Sequence, residues 1–413
     1  MFKSFEKKIK NKKVRVLVIG LGYVGAPLLN LINSKNFEVS GLDLNEERIK
    51  KLKKKYIKIK FFNNYKDVNF KIIDIIIIAL PTPIDKKNDP DLRSIRGSIS
   101  QLVKRISTTK LIILESTSYP STTKKLIVDP FNKKFNVGKN FFIGYSPERE
   151  DPGNKSFGIN NITKITSGFS DNCKRLTSLF YEKICKKVSI ASSIETAEMT
   201  KIFENIFRAV NIGLVNETKQ ISKKLKIDMD EVVSLAKTKP FGFMPFYPGP
   251  GVGGHCIPVD PFYLSWIAKK KNFSTKFIYL AGKINSDMPK LISKEISLNF
   301  KNFKKKPKLL LIGLSYKKDI DDYRNSPAIK IFKSLLSYKF SVDYHDNYVP
   351  KINISNVKYY SVDISKRTLK DYDAVVLTTD HSYLNKRIIY LNSKKIFDTR
   401  NFFSIYKNKV IKL

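Results

Sequence analysis

Apolar residues fall in short, continuous runs separated by turn residues and by helical stretches. Val14-Arg15-Val16-Leu17-Val18-Ile19-Gly20 reads as a strand, followed by a glycine turn, an amphipathic helix and a second strand, FEVSGLD. DIIIIAL, Asp74 to Leu80, is an apolar strand ending in Pro81-Thr82-Pro83; a helix around Ile95 to Ile106 and the strands LIILEST and FFIGYSP follow. Runs that stay apolar instead of alternating predict strands buried on both faces, and strands separated by helices predict a doubly wound parallel sheet. The C-terminal part repeats this outline. KLLLIGLSYK echoes VRVLVIGLGY, FSVDYHD echoes FEVSGLD, DAVVLTTDH echoes DIIIIALPTP, and KKIFDTRN supplies another short strand. Between the two, Glu195 to about Gln220 reads as one long helix with a stripe of Met199, Ile202, Phe203, Ile206, Phe207 and Val210, and more helix runs to Ala236. The expected fold is α/β: two Rossmann-like doubly wound parallel-sheet domains, residues 1–195 and 301–413, joined by a long central helix and a helical region, 196–300.

Length and composition agree with that picture. A chain of 413 residues builds two or three domains, and 42% hydrophobic content argues against disorder. The net charge of +40 comes from lysines spread over the whole length (KKIKNKK, KKLKKKYIKIK, KNFKKKPK), which reads as a solvated surface that also steers small anions. No zinc-finger, RNA-binding-sheet or helix-turn-helix signature accompanies the charge, so no specific nucleic-acid partner is expected. The three cysteines, Cys173, Cys185 and Cys256, and the three histidines, His255, His345 and His381, show neither a disulfide framework nor metal-ligand spacing. No metal is expected. The basic N-terminus followed by VRVLVIGLGYVGAPLLNLI has the look of a signal or anchor, but its glycines are spaced for a turn and it contains Arg15. A nucleotide-binding start explains it better, and no membrane insertion and a cytoplasmic location are expected.

Three groups of residues carry chemistry. Gly20-Leu21-Gly22-Tyr23-Val24-Gly25 is a GxGxxG fingerprint that follows a strand and opens a helix, and Asp43 closes the next strand. The helix N-terminus holds a pyrophosphate, and Asp43 accepts from a ribose hydroxyl and repels a 2′-phosphate, which selects NAD over NADP. The second sheet unit has Gly313 but lacks the second and third glycines. Lys201 and Asn205, i and i+4 on the long helix, share one face at the flank of the apolar stripe. They read either as a surface pair or as donors to a developing oxyanion. FYPGPGVGGHCIPVDP, Phe246 to Pro261, presents Cys256 in a glycine-proline loop with Asp260 four residues on. That loop reads either as a rigid turn around a packed cysteine or as a nucleophile, with Lys201 favouring the thiolate and Asp260 serving as acid or base or ordering the lysine or a water. A hydride acceptor with a nucleophilic cysteine suggests aldehyde oxidation through a thiohemiacetal and a thioester.

The whole pattern resembles the UDP-glucose/GDP-mannose dehydrogenase family, the nucleotide-sugar 6-dehydrogenases. The resemblance runs through GLGYVGAPL, PTP, ESTSYPSTT, YSPEREDPGN, AEMTKIFENIFRAVNIGLVNE, PGPGVGGHCIPVDP and GLSYKKDIDDYRNSP, in order. It implies two successive NAD-dependent oxidations at C6 of a UDP-sugar, with Cys256 as nucleophile, Lys201 and Asn205 on the C6 oxygen, and Asp260 assisting proton transfer. It places Thr117 and Glu148 near the nicotinamide and the reacting water, counts Thr82 with the cofactor positions, and sets Arg149, Tyr247, Gly253, Lys317 and Arg324 among those that bind the nucleotide-sugar. Glu148 has a plainer alternative as a loop salt bridge with Arg149. The central helix is implied as the interface of a homodimer or higher homo-oligomer. GGHC and SPEREDPGN are most similar to the 2-acetamido branch, the UDP-N-acetylglucosamine 6-dehydrogenases that feed surface-polysaccharide synthesis. The mannosamine and galactosamine epimers and UDP-glucose remain alternatives. A non-catalytic basic nucleotide- or nucleic-acid-binding protein, and a one-step β-hydroxyacid dehydrogenase that needs no Cys256, are the readings from other classes.

Overall fold

The computed structural model describes residues 1–85, 87–150, 161–254 and 257–413. The chain divides into two compact units, Met1–Glu204 with Trp266–Lys271, and Asn205–Ser265 with Asn272–Leu413.

The first unit is built on eight strands: β1 (Arg15–Ile19), β2 (Glu38–Leu42), β3 (Lys60–Phe62), β4 (Ile75–Ile78), β5 (Leu111–Leu114), β6 (Phe142–Tyr145), β7 (Lys164–Gly168) and β8 (Val188–Ile190). Their order is β3-β2-β1-β4-β5-β6-β7-β8. The first six are parallel, with the order reversing between β1 and β4, where a doubly wound sheet takes its ligand. β7 runs antiparallel to β6 and carries β8 parallel beside it, so this edge of the sheet is mixed. Every residue of β4, β5 and β6 is buried, which is why these segments read as unbroken apolar runs. Two helices of this unit start at side-chain caps: Asn45 accepts from Arg48 N–H at the head of Glu46–Lys55, and Ser170 from Cys173 N–H at the head of Asp171–Ile184.

The second unit carries β9 (Lys308–Ile312), β10 (Ser341–His345), the hairpin β11 (Lys351–Ile354) and β12 (Val357–Tyr360), then β13 (Ala374–Leu377), β14 (Ile396–Asp398) and β15 (Val410–Lys412). β10-β9-β13-β14-β15 form an all-parallel sheet. Alternation along β9 feeds two cores: Leu309 and Leu311 point into one cluster, Leu310 and Ile312 into the other.

The long helix runs Ile194–Lys224. Its apolar stripe is a correction to the sequence reading, because the stripe divides. Ile202 and Ile206 are buried, whereas Met199, Phe203 and Phe207 are exposed, Phe203 at 62%. Apolar residues span more of the circumference than one core face needs, so one edge of the stripe is covered and the adjoining edge is exposed. Lys201 and Asn205 fall on the buried side with Ile202 and Ile206, which rules out the surface-pair alternative. Among the described residues, no helix is long and apolar enough to cross a membrane.

Candidate active site

In the first unit, the turn after β1 is fixed by Gly20, whose φ of +88° suits glycine and whose position leaves no room for a Cβ, which would lie 2.5 Å from Ala79 O. Gly25 opens the Gly25–Ser34 helix, and a Cβ there would run into Gly20 O. Gly22 has open space where its side chain would be. Val24, at the N-cap, gives this helix no side-chain cap; Ala26 N–H donates to Gly22 O at 3.1 Å and Pro27 has no N–H, so among the described residues Gly25 N–H is the first-turn donor left for a ligand. Tyr23 is exposed beside them. Asp43 accepts from Leu21 N–H at 2.8 Å and from Asn45 N–H at 2.9 Å, and pairs with Arg48 Nη1 at 2.8 Å. A cradle with an open glycine, the Gly25 N–H at the helix start and a carboxylate at the next strand end fits NAD. Arg48 was not singled out from sequence. Its pairing softens the repulsion that Asp43 exerts on a 2′-phosphate and leaves the ribose hydroxyl as the main selector.

Two turns that follow neighbouring strands are tied together: Thr82 Oγ1 donates to Thr117 O at 2.8 Å, and Ser116 Oγ to Leu80 O at 2.7 Å. The segment after Thr117 is pinned by Glu198 of the long helix, which accepts from Ser121 N–H, Thr123 N–H and Thr123 Oγ1 at 2.6 to 2.8 Å. Burial pushes the Glu198 carboxyl up to about 7 despite these bonds.

The side chains of Glu148 and Arg149 do not pair with each other. Lys164 Nζ meets Glu148 Oε2 at 2.9 Å, and Arg149 pairs with Glu204 at 2.5 Å while donating to Thr163 O at 2.8 Å. The loop salt bridge expected as the plain reading of Glu148 is therefore replaced by a buried partner from β7. Glu115, Lys164 and Tyr181 form the wall behind Glu148, and none of the three was picked out from sequence. Lys201 is 6% exposed, and among the described residues its ammonium makes no hydrogen bond or ion pair.

In the second unit, Asn205 Nδ2 donates to Asp260 Oδ2 at 2.5 Å, and Asn205 Oδ1 accepts from Arg208. Both Asn205 and Asp260 are buried, and Asp260 begins the helix Asp260–Lys269. The amide is thereby locked in one orientation, and among the described residues its second N–H is left for an oxygen. Cys256 lies outside the described residues. The loop before it is held: Gly249 N–H donates to Asn216 Oδ1 at 2.9 Å, and Asn216 Nδ2 to Asn285 Oδ1 at 3.1 Å. Gly253 packs where a Cβ would lie 2.9 Å from Pro327 Cδ, and Gly254 N–H donates to Arg324 O at 3.0 Å. The segment holding Lys317 and Arg324 is thus brought to the glycine loop. Arg324 grips Asp322 with two nitrogens, at 2.9 and 2.6 Å. Tyr247 is half exposed. Arg400, also missed from sequence, donates Nε–H to Thr378 O at 2.9 Å beside Gly249. Among the described residues, no group of three or more His, Cys, Asp or Glu is placed to hold a metal.

Three family models match the chain in order: the NAD binding domain of the UDP-glucose/GDP-mannose dehydrogenase family over residues 14–185, its central domain over 195–287 and its UDP binding domain over 310–405. The chain belongs to this family. It is an NAD-dependent oxidoreductase of the nucleotide-sugar dehydrogenase type, and its substrate is a UDP-sugar. Protein CapL of Staphylococcus aureus is 35% identical, over 93% of this chain and 95% of the relative. The UDP-N-acetyl-D-glucosamine 6-dehydrogenase of Pseudomonas aeruginosa is 33% identical, over 90% and 91%. Among solved structures, the UDP-D-ManNAc dehydrogenase of Pyrococcus horikoshii superposes with a TM-score of 0.83 at 30% identity, covering 94% of this chain and 96% of that one.

Proposed function

We propose that this nucleotide-sugar 6-dehydrogenase, of the branch acting on UDP-2-acetamido sugars, takes UDP-N-acetyl-D-glucosamine and oxidises its C6 twice, from alcohol to carboxylate, for surface-polysaccharide precursors. The observation that carries the chemistry is the buried Asn205–Asp260 pair, one helical turn from the buried Lys201. NAD, when bound, accepts a hydride from C6 in each oxidation. Lys201 and the second N–H of Asn205 stabilise negative charge on the C6 oxygen. Asp260, oriented by Asn205, accepts the proton of the C6 hydroxyl as the hydride leaves and passes it to solvent. The Cys256 thiolate adds to the aldehyde carbon, the resulting thiohemiacetal loses the second hydride to give a thioester, and water releases the acid and the thiol. Glu148 takes the proton of that water, and Thr117 and Thr82 line the nicotinamide side. Gly20, Gly22, Gly25 and Asp43 hold the dinucleotide; Arg149, Tyr247, Gly253, Lys317 and Arg324 hold the nucleotide-sugar.

The reading divides the chain into an NAD-binding domain to residue 195, a central helical domain to 300 and a UDP-sugar domain beyond it. It also includes a cytoplasmic homodimer formed along the long helix, which the exposed ridge of Met199, Phe203, Phe207 and Leu214 supports. The glucosamine assignment is supported by SPEREDPG together with GGHC and by the P. aeruginosa relative. The mannosamine epimer is the second reading, favoured by the P. horikoshii structure. Initial rates with the four UDP-sugars decide between them. A kcat/KM for UDP-N-acetylglucosamine at least about tenfold above the mannosamine, galactosamine and glucose nucleotides is expected; a higher value for any of those overturns the sugar. Cys256→Ser should bind the nucleotide-sugar and form no acid, and full turnover by that variant contradicts the covalent step.

A further inference from the structure

Behind Glu148, inside the first unit, two carboxylates share one ammonium. Lys164, the first residue of β7, has a side chain 3% exposed; its Nζ lies 3.1 Å from Glu115 Oε2 and 2.9 Å from Glu148 Oε2. Glu115 follows β5, is fully buried, and also accepts from the Tyr181 hydroxyl. The Lys164 ammonium lies 5.2 Å from the centre of the Tyr181 ring.

A buried ion pair is a poor way to stabilise a fold, since apolar side chains of similar size do so at least as well. What this cluster does is fix one carboxylate. Glu148 Oε1 accepts from the N–H groups of Arg149 and Glu150, both at 2.7 Å, and Oε2 accepts from Lys164. A carboxylate has about four acceptor positions, so among the described residues the one left is on Oε2. A water meeting Glu148 finds a single acceptor in one direction.

We propose that Lys164, balanced by Glu115, is the positioning residue for Glu148: it fixes which oxygen receives the proton of the reacting water and keeps that oxygen ionised. The inference rests on the role given above to Glu148. Burial alone would raise the Glu148 pKa, but the charge and hydrogen bond of Lys164 and the two backbone N–H groups outweigh it and hold the group below the usual carboxylate range. Glu115, more deeply buried and repelled by Glu148, is pushed up to about 7 in spite of Lys164. Near neutrality Glu115 is therefore the group that gives up its charge, and Glu148 keeps its own. The other titratable groups facing the cluster are Tyr181, raised by burial, and Cys185, pushed up to about 11 by burial; both stay neutral.

The test is the pH dependence of kcat and KM for NADH formation in the full-length enzyme with the UDP-sugar that it turns over best. Removing the ion pair as a unit, in Lys164→Met/Glu115→Gln, leaves no uncompensated ammonium in the interior. Its thermal midpoint and the KM for NAD should stay near those of the wild type. Its kcat at pH 7 should fall about tenfold or more, and the acid limb of kcat should move up by about one pH unit as Glu148 loses its cation. An unmoved limb with unchanged kcat makes the cluster structural and overturns the inference, provided that Glu148→Gln is inactive. A fully active Glu148→Gln instead overturns the role given to Glu148, and the inference with it. Should the double variant not fold, Glu115→Gln alone is read: loss of a wild-type inflection in kcat near pH 7 supports the pairing, and profiles that superimpose from pH 5 to 9 contradict it.

Discussion

The strand–glycine–acid start occurs twice, at Gly20 and at Gly313, with the same backbone. φ is +88° at both, and in both the next leucine N–H donates to the acid that follows the neighbouring strand: Leu21 to Asp43 at 2.8 Å, and Leu314 to Asp346 at 2.7 Å. The two then diverge. In the first unit Gly22 faces open space and a helix begins at Gly25, so the turn is an anion cradle. In the second, Ser315 stands in the place of Gly22 and spends its hydroxyl on Ile320 O at 2.6 Å, and the next helix does not begin until Pro327. The acid differs as well. Asp43 keeps an exposed edge, but Asp346 is fully buried, accepting from Ser315 N–H and from His381 Nε2 at 3.0 and 3.1 Å. His381 Nδ1 accepts from Asp319 N–H at 3.0 Å, which places the ring proton on Nε2, facing Asp346. The shared glycine makes the fold turn; the dinucleotide site depends on what is missing at the second and third positions.

That contrast can be broken from either side. The largest effect belongs to Gly20→Ala and Gly313→Ala. Each puts a side chain on a left-handed residue with a backbone oxygen about 2.5 Å from the new Cβ, and each should lower stability by roughly 2–4 kcal/mol in denaturant unfolding. Equal tolerance of alanine at both positions would contradict the shared turn. Gly22→Val comes next: with nothing near the new side chain the fold should hold, while the KM for NAD rises at least about tenfold, equivalent to about 1.4 kcal/mol of binding. An unchanged KM would remove the cradle. Asp43→Asn is smaller. It keeps a partner for the ribose, removes the negative charge and frees Arg48 for a 2′-phosphate, so the preference for NAD over NADP in kcat/KM should fall by about tenfold. The smallest is salt. Raising ionic strength from about 0.05 to 0.5 M should raise the KM for the anionic UDP-sugar only a few-fold, and indifference to salt would remove any steering by the lysines.

The same contrast explains what the sequence made legible. The Gly20–Asp43 cradle and the repeat at Gly313 were readable because every participant lies in one strand–turn–strand unit. The strands of three to five residues that lack a strong apolar run (β3, β7, β8, β11, β12, β15) were not. Nor was the cluster behind Glu148, since Lys164 lies 49 residues from Glu115 and 16 from Glu148, and only the order β5-β6-β7 brings them together. Asn205 and Asp260 were each named, but their bond spans 55 residues and needed the fold. For Lys201 and Asn205 the sequence leaves both a surface pair and oxyanion donors open, because periodicity alone does not say which edge of the apolar stripe is covered. Arg48 was within reach: a basic residue in the first turn of the helix after the acid is close enough to pair with it.

The number of NADH formed per sugar tests the twofold oxidation most directly. With limiting UDP-N-acetylglucosamine and excess NAD, two NADH per sugar, together with the uronic acid as product, are predicted. One NADH per sugar, with the reaction halted at the aldehyde, would contradict the twofold oxidation and the role given to Cys256.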